Sequence, residues 1–291
     1  ECSSAASDVY KRQGLYLVSL PVGCLSDISF RALHMLSNSD YVAGEDTRSV
    51  RSLFKLLKIS KSIKSIISYH DHSSAHTRGK IIELIKQGKS VALVSDAGTP
   101  LISDPGYKLV KTTIEEGFEV FSVPGPSSVI AALTVSGLPT DTFSFLGFLP
   151  NTKSKKKKLL ETYLNLGSSL IIFESGKRLQ KTLELLAETC RPSTEICICR
   201  ELTKLNEEIT RFKAQEGIKV TKKMRSLKGE FVIVVGKNEA RDFDLKNLDE
   251  QLRKIKKSMS MRDSVNFLAE KLNIPKKIIY KKALTIFKDN N

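Results

Sequence analysis

The 291-residue chain has no apolar run approaching the length of a membrane span, which excludes a transmembrane helix as its organising element. It lacks a Gly-x-Gly-x-x-Gly run with an acidic partner and a Gly-x4-Gly-Lys-Ser/Thr loop, so dinucleotide and nucleoside-triphosphate binding are without their usual signatures. No Gly-x-Ser-x-Gly elbow or Cys–His nucleophile pattern supports covalent hydrolysis. Histidine is scarce, at four residues. His70-Asp71-His72 would point two imidazoles one way on a strand, but zinc needs further ligands and neither His34 nor His76 has the spacing; no metal is expected. The five cysteines are odd in number and without Cys-x-x-Cys spacing. Cys197 and Cys199 face one way without being able to bridge each other, and reduced thiols in a cytoplasmic protein are the expectation.

Positive charge is what the chain has in excess: 47 Lys+Arg against 32 Asp+Glu, a net +15. That balance favours a polyanionic partner such as nucleic acid, a ribosome or anionic lipid, and without an anchor lipid is the weakest of the three. The hydrophobic content of 41% suits a soluble globular protein large enough for two domains. Residues 1–13 show neither an apolar stretch nor periodicity and read as a non-native or disordered leader, so fold reasoning begins at Gly14.

From Gly14 short apolar runs alternate with helical stretches. Strands are predicted over 15–20, 41–43, 63–69, 90–95 and 119–123, with helices over 29–37, 48–57, 75–87 and 107–116, and Gly117 as a helix C-cap. Wholly apolar strands alternating with helices predict a mostly parallel sheet covered on both faces. A second alternation spans 126–238, with strands at 169–173, 195–199 and 230–235 and helices at 127–136 and 178–188. Lys153–Lys158 (KSKKKK) reads as a solvated loop or helix start. Beyond Gly236 the composition turns basic, and 263–271 and 276–287 predict two amphipathic helices, with Pro275 opening the second. The domains expected are 14–125 and 126–238, both α/β, and a helix-turn-helix-like tail over 239–291.

The densest punctuation is Ser95-Asp96-Ala97-Gly98-Thr99-Pro100, then Ser103-Asp104-Pro105-Gly106. It follows an apolar strand and so falls in the crevice where open α/β sheets bind ligands. A tight surface turn is the competing reading, because Gly, Pro and Asp punctuate any turn. Pro21-Val22-Gly23 and Pro124-Gly125-Pro126-Ser127-Ser128 follow two other strands, and three such loops on one sheet edge favour a ligand crevice. Gly44-Glu45-Asp46-Thr47-Arg48 ends a strand and opens a helix, where Asp46 or Thr47 is a natural N-cap.

Taken in order, LYLVSLPVGCLSDISFRAL, VAGEDTRSVRSL, YHDHS, ALVSDAGTPLISDPGYKLV, VPGPSSVIAALTVSGLPTDTFSFLGFLP, RELTKLNEEI and KGEFVIVV resemble the 16S ribosomal RNA cytidine 2′-O-methyltransferases of the tetrapyrrole (corrin/porphyrin) methylase superfamily. The resemblance covers about Gly14 to Gly236, with SDAGTPLISDPG and PGPSS its most specific parts. It implies two α/β domains with S-adenosylmethionine in the cleft between them, a small C-terminal helical domain, a homodimer and a cytoplasmic location. The cofactor residues implied are Pro21, Gly23, Ser95, Asp96, Ala97, Gly98, Thr99, Pro100, Pro124, Gly125, Ser127 and Ser128. Arg48, His70, His72 and Arg200 would line the RNA side, with tail lysines Lys276, Lys277, Lys281 and Lys282 and the Lys153–Lys158 run as phosphate contacts. Cys24, Ser73 and Gly176-Lys177 depart from the family's usual Asn, Asn and Pro-His.

The reaction implied is transfer of an already activated methyl group, where alignment is the protein's main contribution. A ribose hydroxyl is a weak acid, so a base or nearby cation should help; Asp46, Glu45, Lys204 and Glu201 are the candidates, unranked. Methylation of a tetrapyrrole would explain the same loops but not the net charge or the basic tail. A ribosome-assembly factor without turnover would not need Gly/Pro-dense cofactor loops.

Overall fold

The computed structural model describes residues 12–60, 65–70, 75–237, 245–256, 258–272 and 276–288. The chain divides into two compact units, one ending at Lys237 and one beginning at Asn238. The leader to residue 11, His72 and the turn at Pro275 lie outside the described residues, as does the side chain of Lys277.

The first unit opens with β1 (Gly14–Val18), α1 (Phe30–Asn38), β2 (Tyr41–Gly44), α2 (Thr47–Leu56), β3 (Ile66–Ser68), α3 (Ala75–Lys86), β4 (Ser90–Val94), α4 (Tyr107–Glu115) and β5 (Val120–Val123). The five strands form one parallel sheet in the order β3-β2-β4-β1-β5. Alternate residues of each strand serve opposite faces. Tyr16, Val18, Val42, Ala92 and Val94 pack with Met35 and Leu36 of α1 and Val50 and Phe54 of α2. Leu15, Ala43, Val91 and Leu93 pack with Ile81 and Ile85 of α3 and Leu109 of α4. Because both faces are covered, the strands read as continuous apolar runs rather than as alternation. The Ser29 hydroxyl accepts from Ala32 N at 3.1 Å and Asp46 accepts from Arg48 N at 2.8 Å, so side chains stop both helices at their N-termini. Of the run 63–69 predicted for β3, residues 63 and 64 lie outside the described residues, and the strand covers Ile66–Ser68.

The same unit continues with α5 (Ser128–Ser136), β6 (Phe143–Phe148), α6 (Lys153–Leu164), β7 (Ser169–Ser175), α7 (Gly176–Thr189), β8 (Glu195–Arg200), β9 (Glu208–Lys213), α8 (Gly217–Thr221) and β10 (Glu230–Val235). The second sheet runs β6-β7-β10-β8-β9, parallel only between β6 and β7. One face packs on α6 and α7 through Leu170, Ile172, Ile198 and Ile233. The other carries Ile171, Cys197, Cys199, Val232 and Val234 against Val129, Ala132 and Leu133 of α5. The edge strands β6 and β9 are absent from the sequence prediction. The Cys197 and Cys199 sulfurs are buried 3.9 Å apart as free thiols.

The Lys153–Lys158 run is not simply a solvated segment. It forms the first turns of α6, and Lys156 turns inward, 7% exposed, onto the buried stripe it shares with Leu160 and Leu164. There its ammonium donates to Thr182 at 3.2 Å and lies 3.9 Å from Glu174. The Glu174 carboxylate, with its side chain fully buried, also accepts from Thr182 (2.6 Å), Ser175 N (2.9 Å) and Arg178 (3.0 Å). Burial lowers the Lys156 pKa, and the Glu174 charge opposes that shift.

Among its described residues the second unit holds three helices: α9 (Leu245–Ile255), α10 (Met261–Leu272) and α11 (Lys276–Lys288). They enclose Leu248, Leu252, Val265, Leu268, Ile279, Ala283 and Ile286. The sequence prediction of two helices missed α9. No helix among the described residues is long and apolar enough to cross a membrane.

Removing one member of the buried network strands the others. Glu174→Ala is expected to cost about 3–5 kcal/mol of unfolding free energy in urea, because Lys156 and Arg178 lose a buried partner. Lys153→Ala, which breaks only the exposed Lys153–Glu188 pair, should cost about 1 kcal/mol or less.

Candidate functional site

Strands β4, β1 and β5 are adjacent and parallel, so the loops that leave their carboxyl ends must emerge side by side. The three Gly/Pro loops are not merely close; they are bonded together. Leu20 and Gly98 exchange backbone hydrogen bonds at 2.8 and 3.1 Å. The Ser19 hydroxyl donates to Thr99 Oγ1 at 3.2 Å, and Thr99 Oγ1 donates to the Pro126 carbonyl at 3.0 Å. A Cβ on Gly125 would lie 2.9 Å from the Ser19 Cβ, so only glycine lets these two loops approach.

Beyond Gly98 the loop is strained. Leu101 (φ 71°) and Ser103 (φ 66°) occupy left-handed backbone without being glycine, a conformation that costs on the order of 1–3 kcal/mol each and clusters at functional sites. This loop and the second sheet enclose a cavity of about 270 Å³, near the lower end of the range for small-ligand sites. Val22, Ala97, Gly98, Ile102, Asp104 and Ser128 form one wall. Phe148, Phe173, Glu174, Leu202, Glu230 and Phe231 are prominent on the other.

The sequence-predicted cofactor residues therefore divide. Ala97, Gly98 and Ser128 line the cavity. Thr99 ties the loops together, and Ser95 holds its own turn by donating to the Ala97 carbonyl at 3.0 Å. Pro21, Gly23, Asp96, Pro100, Pro124, Gly125 and Ser127 belong to the bonded loops without appearing in the cavity wall. Sequence reasoning missed the wall supplied by the second sheet. The lone carboxylate of Glu174, which interrupts the apolar run Leu170-Ile171-Ile172-Phe173, is no signal for it, because its partners lie on the opposite face of the sheet.

Glu45 and Asp46 end β2, beside the end of β4, and bring their charges near Asp96 and Asp104. The Asp104 carboxyl is pushed up to about 6, first by burial and then by the charges of Glu45 and Asp96, while a hydrogen bond from Ser95 offsets part of the rise. Asp96 is raised by burial and by Asp46. Asp46 itself is held below the usual carboxylate range by Arg48, whose guanidinium lies 3.0 Å away.

The segment after β8 meets the first loop. A Cβ on Gly23 would lie 2.5 Å from Lys204 Cγ, and Cys24 N donates to Thr203 Oγ1 at 3.1 Å. Lys204 is ion-paired with Glu201 at 3.2 Å and with cavity-lining Glu230 at 2.9 Å. Burial would lower the ammonium's pKa, but these two carboxylates raise it on balance. Glu201 accepts from Glu230 N at 2.9 Å, which, with Lys204, keeps its carboxyl low.

Two of the expected RNA contacts are engaged within the fold. Arg200 is buried, with its guanidinium donating to the carbonyls of Lys228 (2.8 Å) and Asn206 (3.1 Å), so it ties strand ends together rather than facing solvent. Lys282 is half-buried and paired with Asp249 at 3.1 Å. Arg48, His70, Lys276 and Lys281 are exposed.

The sequence profile of the tetrapyrrole (corrin/porphyrin) methylases matches residues 14–217. The chain is 46% identical over 227 residues to the ribosomal RNA small subunit methyltransferase I of Rickettsia prowazekii (strain Madrid E), covering 78% of this chain and 79% of that protein. It is 38% identical to the protein of the same name from Mesorhizobium japonicum, covering 94% of this chain and 92% of the relative. The crystal structure of uroporphyrin-III C-methyltransferase from Thermus thermophilus complexed with S-adenosylhomocysteine shares the fold at a TM-score of 0.53 and 16% identity, over 77% of this chain and 97% of that one.

The pH dependence of stability follows from Asp104. Its folded pKa lies above the unfolded value, so the folded state holds the extra proton between roughly pH 4 and 6, and the group's contribution to stability falls as pH rises through that window. Asp104→Asn is expected to raise the urea midpoint more at pH 8 than at pH 4; equal shifts at both would contradict the assignment.

Proposed function

The chain belongs to the tetrapyrrole (corrin/porphyrin) methylase family, and from that premise we propose that it transfers a methyl group from S-adenosylmethionine to the 2′-oxygen of a cytidine ribose in 16S ribosomal RNA of the small ribosomal subunit. The observation that carries this reading is the cavity bounded by the three bonded loops and by the wall to which Lys204 is fixed. Similarity to relatives named ribosomal RNA small subunit methyltransferase I selects RNA over a tetrapyrrole, as does the net charge of +15.

The residues present fit the cofactor. Ser128 opens α5, whose free backbone N–H groups suit a carboxylate. Asp104 and Glu230 place negative charge on the cavity wall for ammonium and sulfonium groups, and Gly98 lets backbone approach closely. Ala97, Gly98, Asp104 and Ser128 are the residues that would hold it, with Thr99 and Gly125 holding the loops. When bound, S-adenosylmethionine supplies a methyl carbon already activated by its sulfonium. The protein's task is then to align the ribose oxygen and ease loss of its proton.

Of the four candidates, Lys204 is the best placed for the second task. It is a fixed cation beside the cavity and stabilises negative charge as it develops on the ribose oxygen. Asp46 and Glu201 are held as anions by their neighbours and are weak bases for that reason. Glu45, exposed at the end of β2, remains the carboxylate for proton removal. Arg48, His70 and the tail lysines Lys276 and Lys281 supply phosphate contacts, which position RNA without reading sequence. The assembly proposed is a homodimer, in which a second copy would cover apolar surface such as Phe30, 93% exposed. The location proposed, in keeping with a ribosomal substrate, is the cytoplasm.

Small ribosomal subunits from cells lacking the modification, incubated with labelled S-adenosylmethionine, should yield 2′-O-methylcytidine on nucleoside analysis. Transfer to a porphyrinogen and none to subunits or free rRNA would overturn the reading. In the same assay Lys204→Met is expected to lower kcat about 10²- to 10³-fold, the cost of losing one transition-state donor, with S-adenosylhomocysteine affinity near that of the wild type. A kcat within a few-fold of the wild type would remove Lys204 from the chemistry.

A further inference from the structure

Strand β6 contains a device that neither the cofactor loops nor Lys204 explains. Its pairing with β7 runs Phe145 to Ile171, then Gly147 to Ile172 and Phe148 to Phe173, so Leu146 is an extra residue with no partner in the ladder. Without that bulge, Phe145 and Phe148 stand three apart and face opposite sides of the sheet. With it they oppose Ile171 and Phe173, which are two apart and share a face, while Leu146 packs into the core on the other side. Gly147 makes the bulge possible through its left-handed backbone, φ 59°, and a Cβ there would lie 3.2 Å from the Ser103 hydroxyl of the strained loop. Bulges beside active sites re-aim a side chain in this way.

The side chain re-aimed is Phe148. It lines the cavity yet is 57% exposed, and Ile102, 41% exposed, lines the same cavity. Its ring is braced by a neighbouring ring. The edge-to-face contact with Phe173 has centroids 5.7 Å apart, and Phe173 in turn meets Phe145 at 4.8 Å. A bulge that served packing alone would bury the ring it redirects; this one leaves an aromatic surface open beside the cavity. We propose that Phe148 is a stacking platform for a nucleobase. Resting on the function proposed above, the base comes from one of two sources, the adenine of the cofactor or a base of the RNA. Both offer the same flat π-face, and base–aromatic stacking tolerates any base.

The chain contains no tryptophan, so Phe148→Trp introduces a single indole whose emission reports stacking directly. This variant is titrated with S-adenosylhomocysteine, with cytidine monophosphate and with unmethylated 16S rRNA. Quenching by S-adenosylhomocysteine assigns the cofactor's adenine; quenching by cytidine monophosphate or rRNA without it assigns the RNA base. Phe148→Leu, which keeps the apolar bulk and removes the ring, should weaken the same ligand about 5- to 150-fold with an unchanged urea midpoint. No quenching by any of the three probes, with Phe148→Leu binding as the wild type does, overturns the proposal. So does altered oligomeric state with unaltered binding, which makes Phe148 a contact between copies. Wild-type methyl transfer to subunits, measured in parallel, tests the function separately.

Discussion

The Thr99 hydroxyl is bonded to two other loops at once, to Ser19 and to the Pro126 carbonyl, and the geometry around the cavity depends on that junction. It exists because β4, β1 and β5 are neighbours in a parallel sheet. Neighbouring strands lie about 4.8 Å apart, so their carboxyl ends deliver three loops within hydrogen-bonding reach. The Leu20–Gly98 bridge then extends pairing beyond the sheet proper, and Gly125 removes the one Cβ that would hold the third loop away. Loops restrained in this way have already lost the conformational freedom that ligand binding would otherwise cost.

The first sheet was legible in the sequence because burial on both faces leaves an unbroken apolar signature. Strands β1, β2, β4 and β5 could be placed almost to the residue, and their punctuated ends pointed to the crevice. The second sheet was harder to read. Strand β6 (Phe143–Phe148) interrupts its apolar residues with serine and glycine, and β9 (Glu208–Lys213) carries charges, as edge strands with one neighbour can. The inward turn of Lys156 had a readable sign, since Lys156, Leu160 and Leu164 recur every four residues on one helix stripe. The charge of that residue hid it among solvated lysines. Phe148 and Glu230 reach the cavity only through the approach of the second sheet to the loops of the first, which no local pattern encodes.

Charge is partitioned between long and short range. The chain is strongly basic, yet the cavity wall carries Asp104 and Glu230. At physiological ionic strength fields decay over about 8 Å. The net charge therefore acts on approaching polyanions, while the carboxylates act on what enters the cavity. The raised Asp104 pKa records first the cost of burying that carboxyl and then the charges of Glu45 and Asp96, a cost that a cationic ligand would relieve.

The same accounting separates the candidate groups by the state in which the fold holds them. A carboxylate stabilised as an anion resists taking a proton, and the Arg48–Asp46 and Glu230–Glu201 bonds do that to two of the four. Lys204 gains from the arrangement, because Glu201 is fixed by the Glu230 backbone N–H. The backbone shows how strictly: Glu201 (φ 51°) and Thr203 (φ 61°) are left-handed without being glycine. Glycine at either position would relieve strain on the order of 1–3 kcal/mol. At 201 it would remove the carboxylate that accepts from Glu230 N and from Lys204, and at 203 the hydroxyl that accepts from Cys24 N. The strain is retained where the side chains are needed: Glu201 holds the Lys204 ammonium beside the cavity, and Thr203 ties the segment to the first loop.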